Sequence, residues 1–405
     1  MSEKAVKKFS ETKFALSLAL ITLLAPVGTD LYLASMPDIS HYLNVSYASV
    51  QLTLTVYLLA QGAGQIFFGP LIDCYGRRRP LLIGIIIFAL SSIWAGYSNS
   101  INMLLLSRFI QGLSGALLLV IGFSSVRDVA EDSGAARLFA ILLTIEGLAP
   151  IFAPIIGGYL DEYFGWRVVL WASAVMAAAA FANSFFNLPE TLPVQKRIAL
   201  QPKVVFNTYK RILSDRSFLL PTLALSIVFF YLFAYIGGGA YLYQEIYGLS
   251  PDTFGVVFGL TGSAVMLGAM VNSRLVKKNP VSSIAITGIM LIIAGTLISL
   301  TSSLSIGLPG IVTGFVVAMF GLGMAEPALV SLTMSSQKTA LGFTAALMGA
   351  MHLVLSSLST PISGLLLPIS PTYWFIFLII SASVGLIIAV ATAISLHKTA
   401  VLPEK

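Results

Sequence analysis

Five ionisable residues stand inside long apolar stretches of this sequence, and they are the side chains most able to do chemistry. They are Asp30, Arg108, Glu146, Glu326 and His352. A charged side chain in hydrocarbon is costly, so such residues are functional candidates by default. Carboxyl and imidazole groups bind and release protons, and the set therefore indicates a site that handles protons.

Glu146 lies about ten residues into its apolar stretch, near mid-depth if the stretch crosses a membrane. Because desolvation favours the neutral carboxyl, we expect Glu146 to take up a proton near neutral pH and to release it when water or a cationic substrate arrives. The alternative is a neutral carboxyl that hydrogen-bonds a neighbouring helix. Glu326 precedes Pro327, where a kink is expected because proline frees a carbonyl. His352 lies midway along its stretch, and the alternative for a lone histidine is a polar packing role.

The depths of Asp30 and Arg108 would allow them to pair if the first and fourth segments lie side by side. Asp30 is about seventeen residues into the first stretch, and Arg108 is about seven residues into the fourth, which runs the opposite way. At about 1.5 Å per residue, both fall in the half of the membrane away from the amino terminus. The pair could change partners during function, or it could be a permanent salt bridge that holds two helices together.

The composition is that of an integral membrane protein. Hydrophobic residues make up 57% and charged residues 10% of 405 residues, and the mean hydropathy is +0.92. The apolar runs are continuous and do not alternate, which favours helices over a barrel. They predict twelve membrane helices, at about 14–36, 48–71, 80–97, 102–125, 136–160, 167–187, 217–244, 253–274, 282–303, 307–334, 340–367 and 372–396.

The twelve segments fall into two sets of six, separated by a polar stretch. We predict a bundle over residues 1–187, a linker over 188–216 with a short amphipathic helix at about 204–213, and a second bundle over 217–405. The text APIIGG at Ala153 is echoed by TPISG at Thr360, about 207 residues later. The halves therefore read as a duplicated, pseudo-symmetric unit, an arrangement in which transporters place substrate between the repeats.

Lysine and arginine set the predicted orientation. With the amino terminus in the cytoplasm, 23 Lys and Arg residues all fall on the cytoplasmic side except Arg108 and Arg167. Shifting the helix count by one would scatter them, so this distribution predicts twelve spans with both termini cytoplasmic. It also accounts for the net charge of +6 without nucleic acid as a partner.

Several function classes find no support in the sequence. Cys74 is the single cysteine, and His41, His352 and His397 are far apart, so neither a disulfide nor a metal site is predicted. A phosphate-cradling Gly-Lys-Ser/Thr loop is lacking, which argues against direct use of ATP. No catalytic constellation is visible, and we expect that the chain is not an enzyme.

The stretch GPLIDCYGRRRP, from Gly69 to Pro80, interrupts the apolar runs with a packed acidic and basic turn. Asp73 lies near the end of the second segment, where it could cap the amino end of the third. Gly69 and Gly76 permit close helix approach and a tight turn. The arginines could act in gating or merely fix the topology.

These residues resemble the major facilitator superfamily and, more narrowly, its Bcr/CflA group of drug:proton antiporters. The Gly69 stretch is similar to the superfamily loop signature G-x-L-x-D-x-x-G-R-[RK], and LLLSRFIQGLSGA to the fourth-helix signature with its Arg-x-x-Gln-Gly core. TDLYLASMP resembles the first-helix text of the group, although Ala34 replaces a proline. LAPIFAPIIGG resembles the fifth-helix antiporter signature, with Ala153 in place of a glycine.

The resemblance implies the major facilitator fold, with the first and fourth helices lining a cavity. It also implies that the loop residues form a charge network that breaks and reforms as the halves rock; these gating residues are Gly69, Asp73, Gly76, Arg77 and Arg78. For the cavity wall we expect stacking and polar side chains, with core or lipid-facing positions as the alternative. They are Tyr32, Tyr57, Gln61, Gln111, Phe123, Tyr231 and Tyr235.

The expected function is export of a small amphipathic compound in exchange for protons, by alternating access. The resemblance suggests antibiotics of the chloramphenicol or bicyclomycin class. The alternative is an endogenous metabolite such as a siderophore or other metallophore, because the additional acids suit a cationic or zwitterionic molecule. We expect no cofactor beyond the proton gradient, and a monomer in the lipid bilayer of the inner membrane.

Overall fold

The computed structural model describes residues 11–130, 132–197, 200–337 and 340–401. In those ranges all regular structure is helical, and twelve helices are long and apolar enough to cross a membrane. The prediction of an all-α protein with twelve membrane helices is therefore confirmed. In chain order, with the linker helix included as α7, the helices are α1 Lys13–Leu43, α2 Tyr47–Tyr75, α3 Arg78–Gly96, α4 Ile101–Val129, α5 Arg137–Phe164, α6 Trp166–Asn187, α7 Pro202–Leu213, α8 Arg216–Ile246, α9 Pro251–Leu275, α10 Val281–Ser303, α11 Leu308–Ser335, α12 Leu341–Leu366 and α13 Pro371–Leu396.

Two helices extend beyond their predicted ends. Helix α1 was expected to stop at residue 36 but continues to Leu43, because Pro37 occupies the first turn of a new helical piece, where its missing N–H is tolerated. Helix α5 was expected to stop at residue 160 but ends at Phe164, before Gly165 with a φ of 80°. The extension places Asp161 inside a membrane helix.

Helices α1 and α5 are interrupted. In α5 the helical pattern is broken at Gly147 and Leu148, since Pro150 has no N–H to donate to the carbonyl of Glu146. In α1 a short 3₁₀ turn at Leu33–Ser35 separates two helical pieces. Both breaks free backbone groups near polar side chains.

The linker helix packs on the membrane helices. Helix α7 begins at Pro202 and ends at Leu213, close to the predicted 204–213. The Tyr209 hydroxyl donates to the carbonyl oxygen of Ile66 at 3.1 Å, and its ring meets Phe343 with centroids 5.3 Å apart. Helix α7 therefore touches both sets of helices. The division into two bundles at 187 and 217 stays a prediction.

The two sets of helices meet closely at one end of the molecule. We call the end that holds residues 188–215 the linker side, and the end that holds the connections 97–100 and 304–307 the far side. On the far side, Gly158 of α5 leaves no room for a Cβ against the Pro251 carbonyl of α9. The far side is therefore closed by backbone contact.

Polar contacts reinforce this closure. Tyr47 and Gln51 of α2 each donate a 2.8 Å hydrogen bond to the carbonyl oxygen of Gly237 in α8. The Gln244 amide donates to the Ala34 carbonyl at 2.9 Å. We call these contacts, together with the Gly158 contact, the far-side gate.

The predicted cytoplasmic position of both termini rests on residues that the structure does not describe. Lys4, Lys7, Lys8 and Lys405 lie outside the described ranges, as does Lys338 in the connection before α12. The orientation of the chain in the membrane stays a prediction.

Candidate functional site

A cavity of about 630 Å³ lies between the two sets of helices in the linker-side half of the molecule. Side chains of α2, α4, α5, α7, α8, α11 and α12 line it. Asp73, whose side chain is 46% exposed, also lines it, so the cavity reaches solvent on the linker side. With the far-side gate closed, the cavity is accessible from one side only.

Three of the five predicted proton-handling residues share this cavity. Glu146 reaches it from the break in α5, Glu326 from α11 and His352 from α12. The Glu146 Oε1 atom is buried and receives no hydrogen bond from the described residues. One acid thus comes from the first set of helices, and the other acid and the histidine come from the second.

His352 is held by two contacts. Its Nδ1 lies 3.0 Å from the carbonyl oxygen of Met348, which fits an Nδ1–H donor and leaves Nε2 available. Its ring packs against Phe229 with centroids 4.3 Å apart. Both the packing alternative and a functional role are consistent with this arrangement, since His352 also faces the cavity.

Gln61 and Phe123 line the cavity, as predicted from the sequence. Several further lining residues were not predicted, because the sequence does not show which face of a helix meets the cavity. They are Gln65, Ser124, Tyr209, Phe229, Phe343 and Met348. Among the described residues, no group of three or more His, Cys, Asp or Glu could hold a metal ion. The cavity therefore combines carboxyls with aromatic and amide side chains.

A charge cluster stands at the linker-side mouth of the cavity. Arg77 forms ion pairs with Asp73 at 2.7 Å and with Asp128 at 2.9 Å. Burial disfavours the charged guanidinium, but the two carboxylates outweigh it and hold the pKa of Arg77 above its usual value. Asp128 also accepts a 2.9 Å hydrogen bond from Thr191 of the linker.

The predicted capping role of Asp73 is wrong. Asp73 lies within α2 and pairs with Arg77, one turn further on, and so does not reach the first N–H groups of α3. Glu190 takes that role from the linker, accepting from the backbone N–H of Arg77 at 2.8 Å and of Arg78 at 3.3 Å. This role of Glu190 was not predicted, because Glu190 lies far from Arg77 in the sequence. The acidic residue in the text PET of the linker was a signal that could have suggested it.

The remaining loop residues have distinct positions. Gly76 ends α2 with a φ of 89°, a conformation that L side chains rarely adopt, and a Cβ there would also meet Arg197 and Glu190. Arg78 donates to the Phe185 carbonyl at 2.8 Å. Gly69 lines the cavity, and a Cβ there would meet nothing within 4 Å. Close helix approach is therefore not the reason for glycine at position 69.

The expected Asp30–Arg108 ion pair is not formed. The Arg108 guanidinium donates to the Gly28 carbonyl at 2.8 Å and to the Gln111 side chain at 2.6 Å. Asp30 instead accepts a 3.1 Å hydrogen bond from Thr29. Both bonds of Arg108 come from Nη1, and its Nε and Nη2 atoms are buried without a hydrogen-bond partner in the ranges that the structure describes.

Two tyrosines predicted for the cavity enclose Arg108 instead. The guanidinium carbon lies 4.6 Å from the centre of the Tyr32 ring and 4.3 Å from that of Tyr57, within cation–π range. Tyr32, Tyr57, Gln111 and Arg108 are all buried within the first set of helices. These residues therefore form a packed polar cluster, and the prediction that they line the cavity is wrong for this conformation.

The two tyrosines predicted from the second half are also buried in packing contacts. Tyr231 bonds Thr296 at 2.7 Å, and Tyr235 bonds Thr261 at 3.0 Å while its ring stacks on Phe258. Buried phenols need a partner, and each finds a threonine on a neighbouring helix. Neither ring lines the cavity in this structure.

Twelve membrane helices around a central cavity that is open on one side and closed on the other define a membrane transport protein. Residues 18–360 match the model of the Major Facilitator Superfamily. The chain belongs to this superfamily, and it is a multi-pass membrane transporter.

Several relatives share most of their length with the chain. An uncharacterised MFS-type transporter of Bacillus subtilis, YdgK, is 33% identical over 87% of this chain and 88% of its own. A bicyclomycin resistance protein homologue of Haemophilus influenzae is 32% identical over 65% of this chain and 67% of its own. The multidrug resistance protein MdtL of Escherichia coli is 27% identical over 78% and 80%.

Solved structures share the fold. The nucleoside transporter NupG superposes with a TM-score of 0.75 at 14% identity, covering 94% of this chain and 99% of that one. A bacterial homologue of the human lysosomal transporter Spinster, in an inward-facing and unoccupied conformation, superposes with a TM-score of 0.72 at 15% identity, covering 95% of each chain. At such identities the likeness shows the fold alone.

Proposed function

We propose that the chain exports small amphipathic compounds in exchange for protons, by alternating access. One observation carries the proposal: Glu146, Glu326 and His352 face a single cavity that reaches solvent on the linker side while the far-side gate is closed. Groups that can exchange protons thus share the same space and the same access as a substrate. No cofactor is required, because the proton gradient supplies the driving force.

The direction of exchange follows from the orientation that Lys and Arg favour. With the linker side in the cytoplasm of a bacterial inner membrane, the state described here is open inward, and both termini are cytoplasmic. Water in the cavity lets a carboxyl release its proton inward, and the freed carboxylate attracts a substrate. The transmembrane potential contributes about 2.3 kcal/mol per charge per 100 mV to proton entry.

The cavity favours an amphipathic substrate. Phe123, Phe229 and Phe343 offer apolar and stacking surfaces, while Gln61 and Gln65 offer amide donors and acceptors. Such a lining suits flat molecules with a few polar groups. The names of two relatives, a bicyclomycin resistance protein homologue and a multidrug resistance protein, support antibiotics as the cargo, and we propose the bicyclomycin or chloramphenicol class. A single copy of the chain contains the whole cavity, so we propose that a monomer is the working unit.

A second candidate is an endogenous metallophore or siderophore. The observation that favours it is the presence of two acids on the cavity, Glu146 from the first set of helices and Glu326 from the second. Two carboxylates can engage two separated cationic groups on one molecule. This candidate shares the transport mechanism and differs only in the cargo.

Transport assays in everted membrane vesicles test the proposal. Vesicles that contain the protein are energised, and acidification of the lumen by a dye is followed while candidate compounds are added; a substrate exchanged for protons dissipates the pH gradient. Proton-independent uptake in these vesicles would contradict the proposal.

Growth of efflux-deficient cells separates the two candidate cargoes. Cells that express the protein are grown against an antibiotic panel and, separately, under metal starvation. Raised antibiotic tolerance favours drug export, whereas a growth effect restricted to metal starvation favours a metallophore. Cells expressing Glu146→Gln, at matched protein levels, are the control for effects of expression alone.

A further inference from the structure

An acid outside the cavity, Asp161, is buried at the far-side gate. It lies in α5 with 3% of its surface exposed, and both carboxylate oxygens are buried without a hydrogen-bond partner in the described part of the chain. The Ser35 hydroxyl stands beside it, in the 3₁₀ turn of α1, and is also buried without a partner of its own. Buried polar groups are rarely left in this condition, so Asp161 calls for a functional explanation.

The surroundings of Asp161 carry no compensating positive charge. The charged groups that act on it are acids, Asp38 of α1 and Glu162 of its own helix. On α9, Asp252 lies where Gly158 packs. The nearby bases are engaged elsewhere, since His41 bonds Glu245 of α8 and Arg167 of α6 stacks on Tyr42 and Trp166. A buried carboxylate that has only a neutral hydroxyl beside it, and no cation among the residues that the structure describes, is disfavoured, so the closed gate favours the neutral acid.

The position of Asp161 ties this requirement to the gate. It lies one turn beyond Gly157, on the same face of α5, and Gly157 packs against the Leu31 carbonyl of α1. The adjacent Gly158 packs on Pro251 of α9, and the 3₁₀ turn beside Asp161 is tied to α8 by the bond from Gln244 to Ala34. Opening the gate must separate the two contacts that cross between the sets of helices, Gly158 with Pro251 and Gln244 with Ala34, which admits far-side water to the carboxyl.

We propose that Asp161 is a proton-binding site of the far-side gate, neutral while the gate is closed and ionised when it is open. Its proton comes from the far-side solution and returns to it, so Asp161 adds nothing to the number of protons transported. Far-side protons thereby favour gate closure and reset the transporter towards the state that is open on the linker side. This inference rests on the proposed alternating access but not on the identity of the cargo.

Distance measurements between spin labels test the proposal. Labels are placed on the far side at Asn102→Cys and Ser305→Cys in a Cys74→Ser background, and the purified protein in lipid nanodiscs is measured between pH 5.5 and 8.5. In the otherwise unchanged protein, a longer distance should gain population as pH rises, by up to about tenfold per pH unit where one proton is released. With Asp161→Asn, the short distance should dominate throughout.

Glu162→Gln is the matched control, because it removes an exposed acid from the next position of the same helix; the pH response should persist, with its midpoint at a somewhat lower pH because one like charge is gone. Unchanged pH dependence in Asp161→Asn, or no pH dependence in the parent protein, would overturn the proposal. Asp161→Ser provides the same test if the asparagine variant is not monodisperse. The measurement needs no substrate, so a failure here is distinguishable from a failure of proton-coupled export, which the vesicle assay reports.

Discussion

The Tyr47 hydroxyl donates a 2.8 Å hydrogen bond to the carbonyl oxygen of Gly237, which joins α2 of the first set of helices to α8 of the second. Both residues are buried, so no bulk water competes for the bond. The absence of a side chain at Gly237 allows this close approach. A Cβ there would lie only 2.8 Å from the Gln51 side chain. The bond exists only while the far-side gate is closed, and it therefore favours the conformation described here.

Tyr47→Phe should shift the protein towards the state that is open on the far side. The Gly237 carbonyl keeps its bond from Gln51, so the loss is that of one hydrogen bond, about 0.5–1.5 kcal/mol, or roughly a two- to tenfold change in population. The label pair at positions 102 and 305 measures this shift. Tyr97→Phe, an exposed tyrosine at the same end, is the control. Equal distance distributions in all three proteins would show that the bond does not hold the gate.

Glu146→Gln should abolish proton-driven efflux while counterflow of substrate persists. The amide keeps the size and polarity of the side chain but cannot release a proton, so the cavity still binds and still alternates. Efflux and counterflow are measured in proteoliposomes with and without a pH gradient. Glu162→Gln serves as the control on the same helix. Equal loss of both activities would assign Glu146 to folding or substrate binding.

Glu326→Gln distinguishes which cavity acid carries the proton. If Glu146 is the proton carrier, Glu326→Gln should retain a pH-dependent efflux. Its substrate affinity should change, because the substitution removes the carboxyl that the second set of helices contributes to the cavity. The measurement is efflux rate against substrate concentration at several pH values. Loss of pH dependence in the Glu326 variant alone would reverse the assignment.

Asp73→Asn should slow transport and leave substrate affinity within about twofold, because Arg77 keeps its bond to Asp128. A partly exposed ion pair contributes up to about 1 kcal/mol, so turnover should fall by no more than roughly fivefold. Asp128→Ala should be more harmful to stability, since it removes both the ion pair with Arg77 and the acceptor of Thr191. The checks are substrate binding, turnover and thermal unfolding. Unchanged turnover in Asp73→Asn would remove the idea of a gating latch.

Asp215→Ala should lower the unfolding temperature. Asp215 caps α8 by accepting from the Ser217 N–H at 2.9 Å, and it accepts from Gln337 at 2.6 Å. Slight burial would raise the pKa of Asp215, but the bonds from Ser217 and Gln337 outweigh it and hold that pKa below its usual value. The loss should be about 1 kcal/mol, a shift of roughly 2 °C.

The pH dependence of this contribution has a definite sign. A lowered pKa means that the stabilisation is complete above the unfolded value of 3.8 and fades only as pH falls through the folded value. The difference in unfolding temperature between the parent protein and Asp215→Ala should therefore be constant from pH 8 to pH 5. Asp215→Ser keeps a capping oxygen but not the reach to Gln337, and it should recover part of the loss. A difference that grew between pH 5 and pH 8 would contradict the assignment.

The sequence predicted those site residues whose position within an apolar segment was enough to place them. Glu146 was expected near mid-membrane from its distance to the ends of its apolar segment, and Glu326 was expected inside an apolar segment; the structure places both on the cavity. The resemblance to the superfamily loop signature implied a charge network that includes Asp73 and Arg77, and the two are paired. Their partners Asp128 and Glu190 were not foreseen, because those contacts join positions more than 50 residues apart in the chain.

Continuous apolar segments, polar interruptions and the distribution of Lys and Arg were sufficient to predict an all-helical protein with twelve membrane helices, because hydrocarbon leaves a buried backbone few other options. Tertiary structure alone decided which face of each helix meets the cavity. The membrane helices are apolar on every side, so hydropathy does not reveal their rotation. Packing buried Tyr32 and Tyr57 around Arg108, and it placed Asp161, with no cationic partner among the described residues, where the two sets of helices meet.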